Sequence, residues 1–257
     1  MDTPWKSAWI IGASSGLGEE ISRQLAAHGC KTYISARRVN VLDELSNQFD
    51  NSTPIKLDIT NRDQCDQATK KVIAENGSLP DLIIINAAIY APMNVETFDP
   101  QKIADMIDVN YVGSANIIDA IIKSDNPTNS ITLATVTSPS GWRGLPGGIG
   151  YGPSKAALIN MIEGMTPEMR ERGFDMRLIN PGFIKTRLTE MNDFEMPQLM
   201  EPDDAARRAI KGLMSNKFDI SFPNPFILKL KFLRLLPYKL FFNITSRLTQ
   251  KNETLFS

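Results

Sequence analysis

The sequence predicts an α/β protein built on one doubly wound parallel sheet of about seven strands flanked by helices. Segments with strand character alternate with helical segments from residue 7 to residue 222, and short loops join them. Residues 81–85 are apolar almost throughout, as expected of a central strand that is buried on both faces. The composition, 42% apolar and 22% charged, suits a globular domain with a sizeable core.

The chain is predicted to form one domain, residues 1–222, followed by a basic and apolar extension, residues 223–257. The predicted strands are 7–11, 31–35, 53–58, 81–85, 130–136, 175–180 and 217–222. The predicted helices are 62–76, 100–123, 152–172 and one that begins near residue 201, where Pro202 precedes two aspartates.

Several functional classes receive no support from the composition. A net charge of −1 gives no indication of nucleic-acid binding. Cys30 and Cys65 are too few and too far apart for a disulfide framework or a metal site. The start of the sequence lacks a charged and then apolar leader, and no run of about 18 uncharged apolar residues follows. We therefore expect a cytoplasmic protein without a nucleic-acid partner.

A glycine-rich turn follows the first predicted strand and precedes a helix. Strand, glycine turn and helix together favour phosphate binding, because glycines let the backbone approach a pyrophosphate and a helix amino terminus offers free N–H groups. An ordinary tight turn is the alternative. The residues predicted to bind a nucleotide here are Gly12, Ser14, Ser15, Gly16, Leu17 and Gly18.

The second predicted strand ends at Arg37 and Arg38, with no carboxylate before Asp43. A guanidinium at this place favours the 2′-phosphate of NADP(H) over the free hydroxyl of NAD(H). Two solvated arginines are the alternative. Further along, Asp58 and Ile59 are predicted to edge the adenine, and the small residues of Asn86-Ala87-Ala88 let a cofactor lie close.

Tyr151 and Lys155 are four residues apart at the start of a predicted helix, so their side chains share one face. The lysine charge is predicted to lower the pKa of the phenol, which makes Tyr151 a candidate general acid/base; a chance surface pair is the alternative. Ser138 follows the carboxyl end of strand 130–136, the edge where ligands bind in such sheets. Asn110 lies among apolar helical neighbours, so its amide needs a backbone or water partner.

These motifs resemble, in order and approximate spacing, those of the short-chain dehydrogenase/reductase family over roughly residues 5–190. The resemblance implies a Rossmann-type oxidoreductase that interconverts a ketone or aldehyde with an alcohol, and a homodimer or homotetramer. A nucleotide-binding regulatory or scaffolding protein of the same fold is the alternative; the presence of both Tyr151 and Lys155 favours the enzyme.

The resemblance also implies roles for single residues. Ser138 would hydrogen-bond the substrate oxygen, Tyr151 would transfer the proton, and Lys155 would bind the nicotinamide ribose. Asn110 would hold a water that links Lys155 to solvent. The segment with Pro181, Gly182, Ile184 and Thr186 would border the nicotinamide.

The remainder of the chain is less specific. Residues 187–200 contain Met191, Met196, Met200 and Phe194, and the resemblance implies a mobile substrate lid, with core filling as the alternative.

Between Asp219 and Glu253 the sequence has no acidic residue, while lysines and arginines, up to Lys251, alternate with leucines and phenylalanines. Such a segment can lie in a membrane interface, so peripheral membrane contact through 223–251 is one interpretation. The cations do not fall on one narrow helical face, and packing over the substrate pocket or on another subunit stays open. An apolar tail near the site favours a hydrophobic, lipid-like substrate.

Overall fold

The computed structural model describes residues 3–124, 130–192 and 194–249. Seven parallel strands form one sheet in the order β3-β2-β1-β4-β5-β6-β7. Their bounds are β1 Ser7–Ile11, β2 Lys31–Ala36, β3 Ser52–Lys56, β4 Leu82–Ile85, β5 Ile131–Val136, β6 Phe174–Pro181 and β7 Asp219–Phe222. The direction of strand order reverses between β1 and β4, which creates the crevice where ligands bind in this class of sheet.

Nine α-helices lie in the described residues. They are α1 Gly16–Ala27, α2 Val39–Ser46, α3 Arg62–Asn76, α4 Pro100–Ile107, α5 Gly113–Lys123, α6 Tyr151–Glu171, α7 Pro202–Leu213, α8 Asn224–Leu235 and α9 Tyr238–Thr245. Capping residues and prolines mark where several of these helices begin. Asn61 and Asp99 cap α3 and α4 through their side chains, and prolines occupy the first turns of α4, α7 and α8.

Apolar side chains cover both faces of the sheet because alternate strand residues point to opposite sides. One cluster joins Ile10, Ile34 and Ile84 to helices α1, α2 and α7. The other joins Trp9 and Ile83 to helices α3, α5 and α6. These two layers of helices confirm the predicted doubly wound architecture.

The main differences between the structure and the predicted elements of the domain concern β3, β7, α2 and the predicted helix 100–123. Strand β3 ends at Lys56, so Asp58 lies in the following loop, and β7 begins at Asp219 rather than at residue 217. Helix α2 was not predicted, because its short sequence buries only Leu42 and Leu45. The predicted helix 100–123 is interrupted by a π-helical segment, Asp108–Val112, which gives this stretch one wider turn.

The extension packs against the domain. Phe226, Ile227, Leu230, Leu233 and Phe241 form a third buried cluster, which Trp142, Leu145 and Phe183 of the domain complete. Among the residues described, no helix combines the length and the apolar character needed to cross a membrane. The predicted tail residues from 250 onward, with Lys251, lie outside the described residues.

Candidate active site

The carboxyl ends of the strands open into a cleft of about 1640 Å³. The loops that follow β1, β2, β3, β4, β5 and β6 form its walls. A volume of this size exceeds the 300–1,000 Å³ typical of pockets for single small ligands, so it has room for a dinucleotide and a substrate together.

The glycine turn after β1 is held by its neighbours. The backbone N–H groups of Gly12 and Ala13 both donate to the carbonyl of Ser35, at 2.7 and 3.1 Å. Gly12 has a φ of +93°, and a Cβ there would lie 2.5 Å from the backbone nitrogen of Ala87. Glycine is therefore required at this position for both its conformation and its close approach.

Gly18 has a packing role in the turn. It is buried and does not line the cleft, and a Cβ on it would clash with the carbonyl of Gly12 and with the amide of Asn86. Gly18 therefore permits α1 to pack closely on the turn, and cofactor contact by this residue stays a prediction.

The amino terminus of α1 faces the cleft through Ser15, Gly16 and Leu17. The N-cap residue Ser15 makes no side-chain capping bond to this helix. The first N–H groups of a helix have no intrahelical acceptors, so this end of α1 offers donors and a partial positive charge to an anion. The arrangement fits a pyrophosphate.

Arg38 lies beside the same turn. Its Nη2 donates to the Ser14 carbonyl at 3.1 Å, to Ser14 Oγ at 2.9 Å and to Ser15 Oγ at 3.1 Å. A guanidinium has further N–H donors on Nε and Nη1, so this anchored side chain keeps the capacity to bind a phosphate. Arg37 is exposed at the rim of the cleft.

The other predicted cofactor residues also line the cleft, but two act on the protein itself. Asp58 Oδ1 accepts from the N–H and the hydroxyl of Thr60, at 3.0 and 2.8 Å, which orders the loop after β3 beside Ile59. Asn86 Nδ2 donates to the Gly12 carbonyl at 2.8 Å, so it ties β4 to the glycine turn. Ala87 and Ala88 complete this wall.

Ser138, Tyr151 and Lys155 come together on the opposite wall. Tyr151 is the first residue of α6, and its phenol is hydrogen-bonded with Ser138. Lys155 is 1% exposed, and its Nζ donates to the carbonyl of Val136 at 2.9 Å. The same Nζ lies 5.7 Å from the centroid of the Tyr151 ring. Ser140 Oγ donates to Ser138 Oγ at 2.9 Å and orients it.

Burial determines the charge states of this pair. Burial raises the pKa of the Tyr151 phenol, the neighbouring Tyr90 raises it further, and the hydrogen bond with Ser138 offsets part of the rise. Burial also lowers the pKa of Lys155 to about 7. The prediction that the Lys155 charge lowers the pKa of Tyr151 is therefore wrong for the chain by itself, because removal from water favours the neutral form of both groups. A protonated phenol is suited to donating a proton.

Asn110 is fully buried in the π-helical segment and does not line the cleft. Its Oδ1 accepts from the N–H of Ile89 at 2.8 Å, and its Nδ2 donates to the Ile89 carbonyl at 3.0 Å and to Ser154 Oγ at 3.0 Å. Both amide hydrogens are thus used by the protein. These bonds hold the loop after β4 against α6 at Ser154, the residue that precedes Lys155. The predicted water-holding role stays a prediction.

The segment after β6 forms the third side of the cleft. Pro181, Gly182, Ile184 and Thr186 all line the cleft. The methyl group of Thr186 approaches Gly16 so closely that a Cβ on Gly16 would lie 2.8 Å from it. Thr186 therefore connects this segment to the start of α1.

Residues 187–200 form a loop with fixed ends. Met200 N donates to the Phe183 carbonyl at 3.0 Å, and Lys185 N donates to the Met200 carbonyl at 2.9 Å. Met200 is buried in the core, which agrees with core filling, whereas Met191 and Phe194 are exposed and line the cleft. Residue 193 of the predicted lid lies outside the described residues.

Sequence reasoning missed one residue, Tyr90, that shapes the substrate side of the cleft. The ring of Tyr90 packs edge-on against the Tyr151 ring, with centroids 5.0 Å apart. Its hydroxyl donates to Asn192 Oδ1 at 2.7 Å, so it links the catalytic wall to the 187–200 loop. Tyr90 could have been predicted from its position shortly after β4, because ligands bind at the carboxyl ends of the strands in this class of sheet.

The fold and this site define a class: an α/β protein with a nucleotide-binding type of cleft and a candidate acid–base group on its wall. The model of the short chain dehydrogenase family matches residues 6–196. An uncharacterized oxidoreductase of Myxococcus xanthus is 32% identical over 241 residues, which are 92% of this chain and 95% of that protein. The chain therefore belongs to the short-chain dehydrogenase family, a family of oxidoreductases.

Other relatives agree. An uncharacterized oxidoreductase of Staphylococcus epidermidis is 27% identical over 211 residues, 81% of this chain and 90% of that protein. A short chain dehydrogenase of Burkholderia cenocepacia, solved in complex with NADP, has a TM-score of 0.82 at 22% identity, over 95% of this chain and 98% of that one. A 3-ketoacyl-(acyl-carrier-protein) reductase of Brucella melitensis, complexed with NADH, has a TM-score of 0.74 at 23% identity, over 84% and 94%. These two structures show the fold.

Proposed function

We propose that this protein is an NADP(H)-dependent oxidoreductase that interconverts a hydrophobic, lipid-like ketone or aldehyde with the corresponding alcohol. The observation that carries the proposal is the meeting of Ser138, Tyr151 and Lys155 on one wall of a cleft whose other end has an anion-binding helix terminus. The fold alone would leave the chemistry open.

The cofactor residues fit the dinucleotide in order along the cleft. The N–H groups at Ser15 to Leu17 would hold the pyrophosphate, and Arg38, with Arg37 at the rim, would bind the 2′-phosphate. No carboxylate occurs at the end of β2 to select a free 2′-hydroxyl. Asp58 and Ile59 would edge the adenine, and the segment 181–186 would border the nicotinamide.

The bound cofactor supplies the hydride, and the protein supplies orientation and the proton. Ser138 Oγ would donate a hydrogen bond to the carbonyl oxygen of the substrate. Tyr151 Oη would donate its proton to the same oxygen as the alcohol forms, and would accept it in the reverse direction. Lys155 would bind the nicotinamide ribose through its ammonium donors.

Apolar side chains on the substrate side support a hydrophobic substrate. Phe183 packs against Phe194 of the 187–200 loop and against Phe226 of α8, with ring centroids 5.7 and 5.5 Å apart. Leu230 and Met191 also line the cleft. We propose that the 187–200 loop acts as the substrate lid. The family resemblance supports a homodimer or homotetramer, which sedimentation would test.

The test is a titration of the purified protein with NADPH and NADH, followed by oxidation of NADPH with a panel of medium- and long-chain carbonyl compounds. We expect tighter binding of NADPH and turnover that increases with chain length. Tyr151→Phe should retain NADPH binding and lose at least about 100-fold in turnover, the usual contribution of a general acid. Tyr111→Phe makes the same chemical change outside the cleft and serves as the control.

The outcomes separate the two candidate classes. Binding without turnover across the whole panel would favour a regulatory or scaffolding protein. Turnover that survives in Tyr151→Phe would remove the acid/base role, and preference for NADH would remove the role given to Arg37 and Arg38.

A further inference from the structure

We propose that the two C-terminal helices form a docking face for an anionic lipid bilayer surface. The outer face, as we name it, consists of the exposed side chains Leu228, Phe232, Leu235, Tyr238, Leu240 and Phe242 of α8 and α9. The proposal concerns binding rather than the reaction, and only its last step, substrate supply, rests on the proposed function.

Helix α8 is apolar on two opposite sides. Phe226, Leu230 and Leu233 point inward and are at most 6% exposed. Leu228, Phe232 and Leu235 recur at the i, i+4 and i+7 positions of a second stripe, and they are 65%, 66% and 79% exposed. The inner stripe explains the packing of α8 on the domain. Packing on the domain does not explain the apolar residues of the outer stripe, and contiguous exposed apolar surface marks an interaction site.

The extension is fastened to the domain, so the outer face is a fixed surface. Arg143 Nη1 donates to the carbonyls of Leu233, Arg234 and Leu236, at 3.2, 2.9 and 2.6 Å, near the end of α8. The same guanidinium lies 3.8 Å from the centroid of the Phe241 ring in α9. It also lies 4.9 Å from the centroid of the Tyr238 ring, so one member of the outer face takes part in this fastening. These contacts hold both helices in place.

A second anchor lies at the middle of α8. Lys231 Nζ bonds to Asp219 Oδ2 at 2.7 Å. Burial acts to raise the pKa of this carboxyl, but the hydrogen bonds from Lys231, Ser221 and Asn180 together hold it below its ordinary value. The charge of Lys231 is thus used inside the protein. Arg234 of α8, Lys239 of α9 and Arg247 just after α9 are instead exposed.

The charge pattern selects the occupant. No carboxylate occurs between Asp219 and Glu253, so every charged side chain in the described part of this extension is a cation. A second copy docking through the same face would bring like charges together, which is unfavourable. An anionic lipid surface attracts each cation and can take the leucine and phenylalanine side chains into its interfacial layer. Cations around an apolar stripe therefore favour an anionic bilayer.

The position of the outer face relative to the cleft gives the docking a consequence. Phe226 and Leu230 line the cleft from the inner side of α8. One helix therefore separates the substrate side of the cleft from the proposed lipid surface. If the proposed function is correct, docking would place the enzyme where apolar carbonyl compounds are concentrated.

The test is sedimentation of the full chain with vesicles of phosphatidylcholine alone and with vesicles that contain phosphatidylglycerol. We expect binding to the anionic vesicles that falls as salt is raised. The variant Phe232→Ser with Leu235→Ser should reduce binding about tenfold or more. Arg234→Gln with Lys239→Gln should reduce it about 25-fold, since each cation contributes about fivefold.

Matched controls show whether the site is specific. Phe98→Ser with Met214→Ser removes two apolar side chains that are also exposed, at 55% and 43%, but lie elsewhere. This control, and Lys56→Gln with Lys70→Gln, should bind vesicles like the wild type. NADPH titration and turnover of a water-soluble aldehyde should be unchanged in all four variants, which separates failure of docking from failure of the proposed reaction.

Three results would overturn the inference. One is no binding to anionic vesicles at low salt, and another is equal loss in the controls. The third is a change of mass in solution when Phe232 and Leu235 are replaced, without vesicle binding by the wild type, which would make the outer face a contact between copies of this chain.

Discussion

Replacing Lys155 with methionine should stabilise the protein while it disables the site. Lys155 is 1% exposed, and burial lowers its pKa to about 7 from an ordinary value of about 10.4. Holding its charge in the fold at pH 7 therefore costs up to about 5 kcal/mol. Methionine has a similar length and no charge, but it leaves the Val136 carbonyl without its donor, which costs about 1–3 kcal/mol. We expect the variant to gain about 2 kcal/mol or more at pH 7 without nucleotide.

The pH dependence gives the sign of the effect. Between pH 7 and pH 10 the unfolded chain keeps a proton on Lys155 that the folded chain releases, so the stability of the wild type rises with pH through this range. From pH 7 to pH 9 the wild type should recover about 2 kcal/mol relative to Lys155→Met. The buried thiols Cys30 and Cys65, whose pKa values burial raises to about 12, act in the opposite direction in both proteins and cancel in the difference.

Urea unfolding of both proteins at pH 7 and pH 9 measures these free energies. Lys70→Met, at an exposed position of α3, is the control and should show no pH-dependent difference. The reasoning is refuted if Lys155→Met is less stable than the wild type at pH 7, or if the difference between them does not change with pH. Isothermal titration should also show that the stabilised variant has lost affinity for NADPH.

Two further substitutions test the ends of the site. Arg38→Ala should weaken NADPH binding by about 10-fold or more, the worth of a charge-assisted hydrogen bond, and should leave NADH binding nearly unchanged, as measured by fluorescence titration. Asn110→Ala should lower the free energy of unfolding by about 2–4 kcal/mol in urea unfolding, because it removes the partner of both backbone groups of Ile89 and the donor to Ser154 Oγ. The Ser154 hydroxyl keeps its own bond to the Tyr151 carbonyl at 2.8 Å. The variant should also have a lower turnover, because the lost bond to Ser154 disturbs α6 next to Lys155.

Each has a control and a contrary result. Arg62→Ala removes an exposed arginine that does not line the cleft and should not affect either nucleotide. Equal weakening of NADPH and NADH in Arg38→Ala would mean that Arg38 only tethers Ser14 and Ser15. Asn160→Ala, at an exposed position, should leave stability unchanged, and an equally small effect at Asn110 would contradict the assigned bonds.

Local pattern was sufficient for most of the fold. Most of the seven strands were predicted because they are short apolar runs between turn signals, and the doubly wound parallel sheet was predicted from the repeated β-α units. The order of the strands came from the structure. The glycine turn was predicted because Gly12 and Gly16 precede a helical pattern, and both have positive φ values of +93° and +61°. The π-helical segment was not predicted, since its sequence has the same apolar period as the helices beside it.

The role of a side chain depends on neighbours that are distant in the chain. Asn86 and Gly18 belong to the predicted cofactor motifs, yet both also stabilise the glycine turn. Asn86 donates a hydrogen bond to the Gly12 carbonyl, and the missing side chain of Gly18 leaves room for that same carbonyl. Tyr90 was not singled out, because its contact with Tyr151 joins residues 61 positions apart, after β4 and at the start of α6. Spacing along one helix cannot predict a contact between residues of two different elements.

The sequence by itself determined the class of fold, the edge of the sheet where the site lies, and the pairing of Tyr151 with Lys155, because these depend on periodicity and on spacing within single elements. The joint role of Ser138 with that pair was implied by the family resemblance. Only the tertiary structure decided the charge states of that group, since burial, and not the lysine charge, dominates both pKa values. It also decided the two sides of α8. Both of its stripes are equally apolar in sequence, and only packing against Phe183 and Trp142 shows which one the domain buries and which one it leaves in solvent.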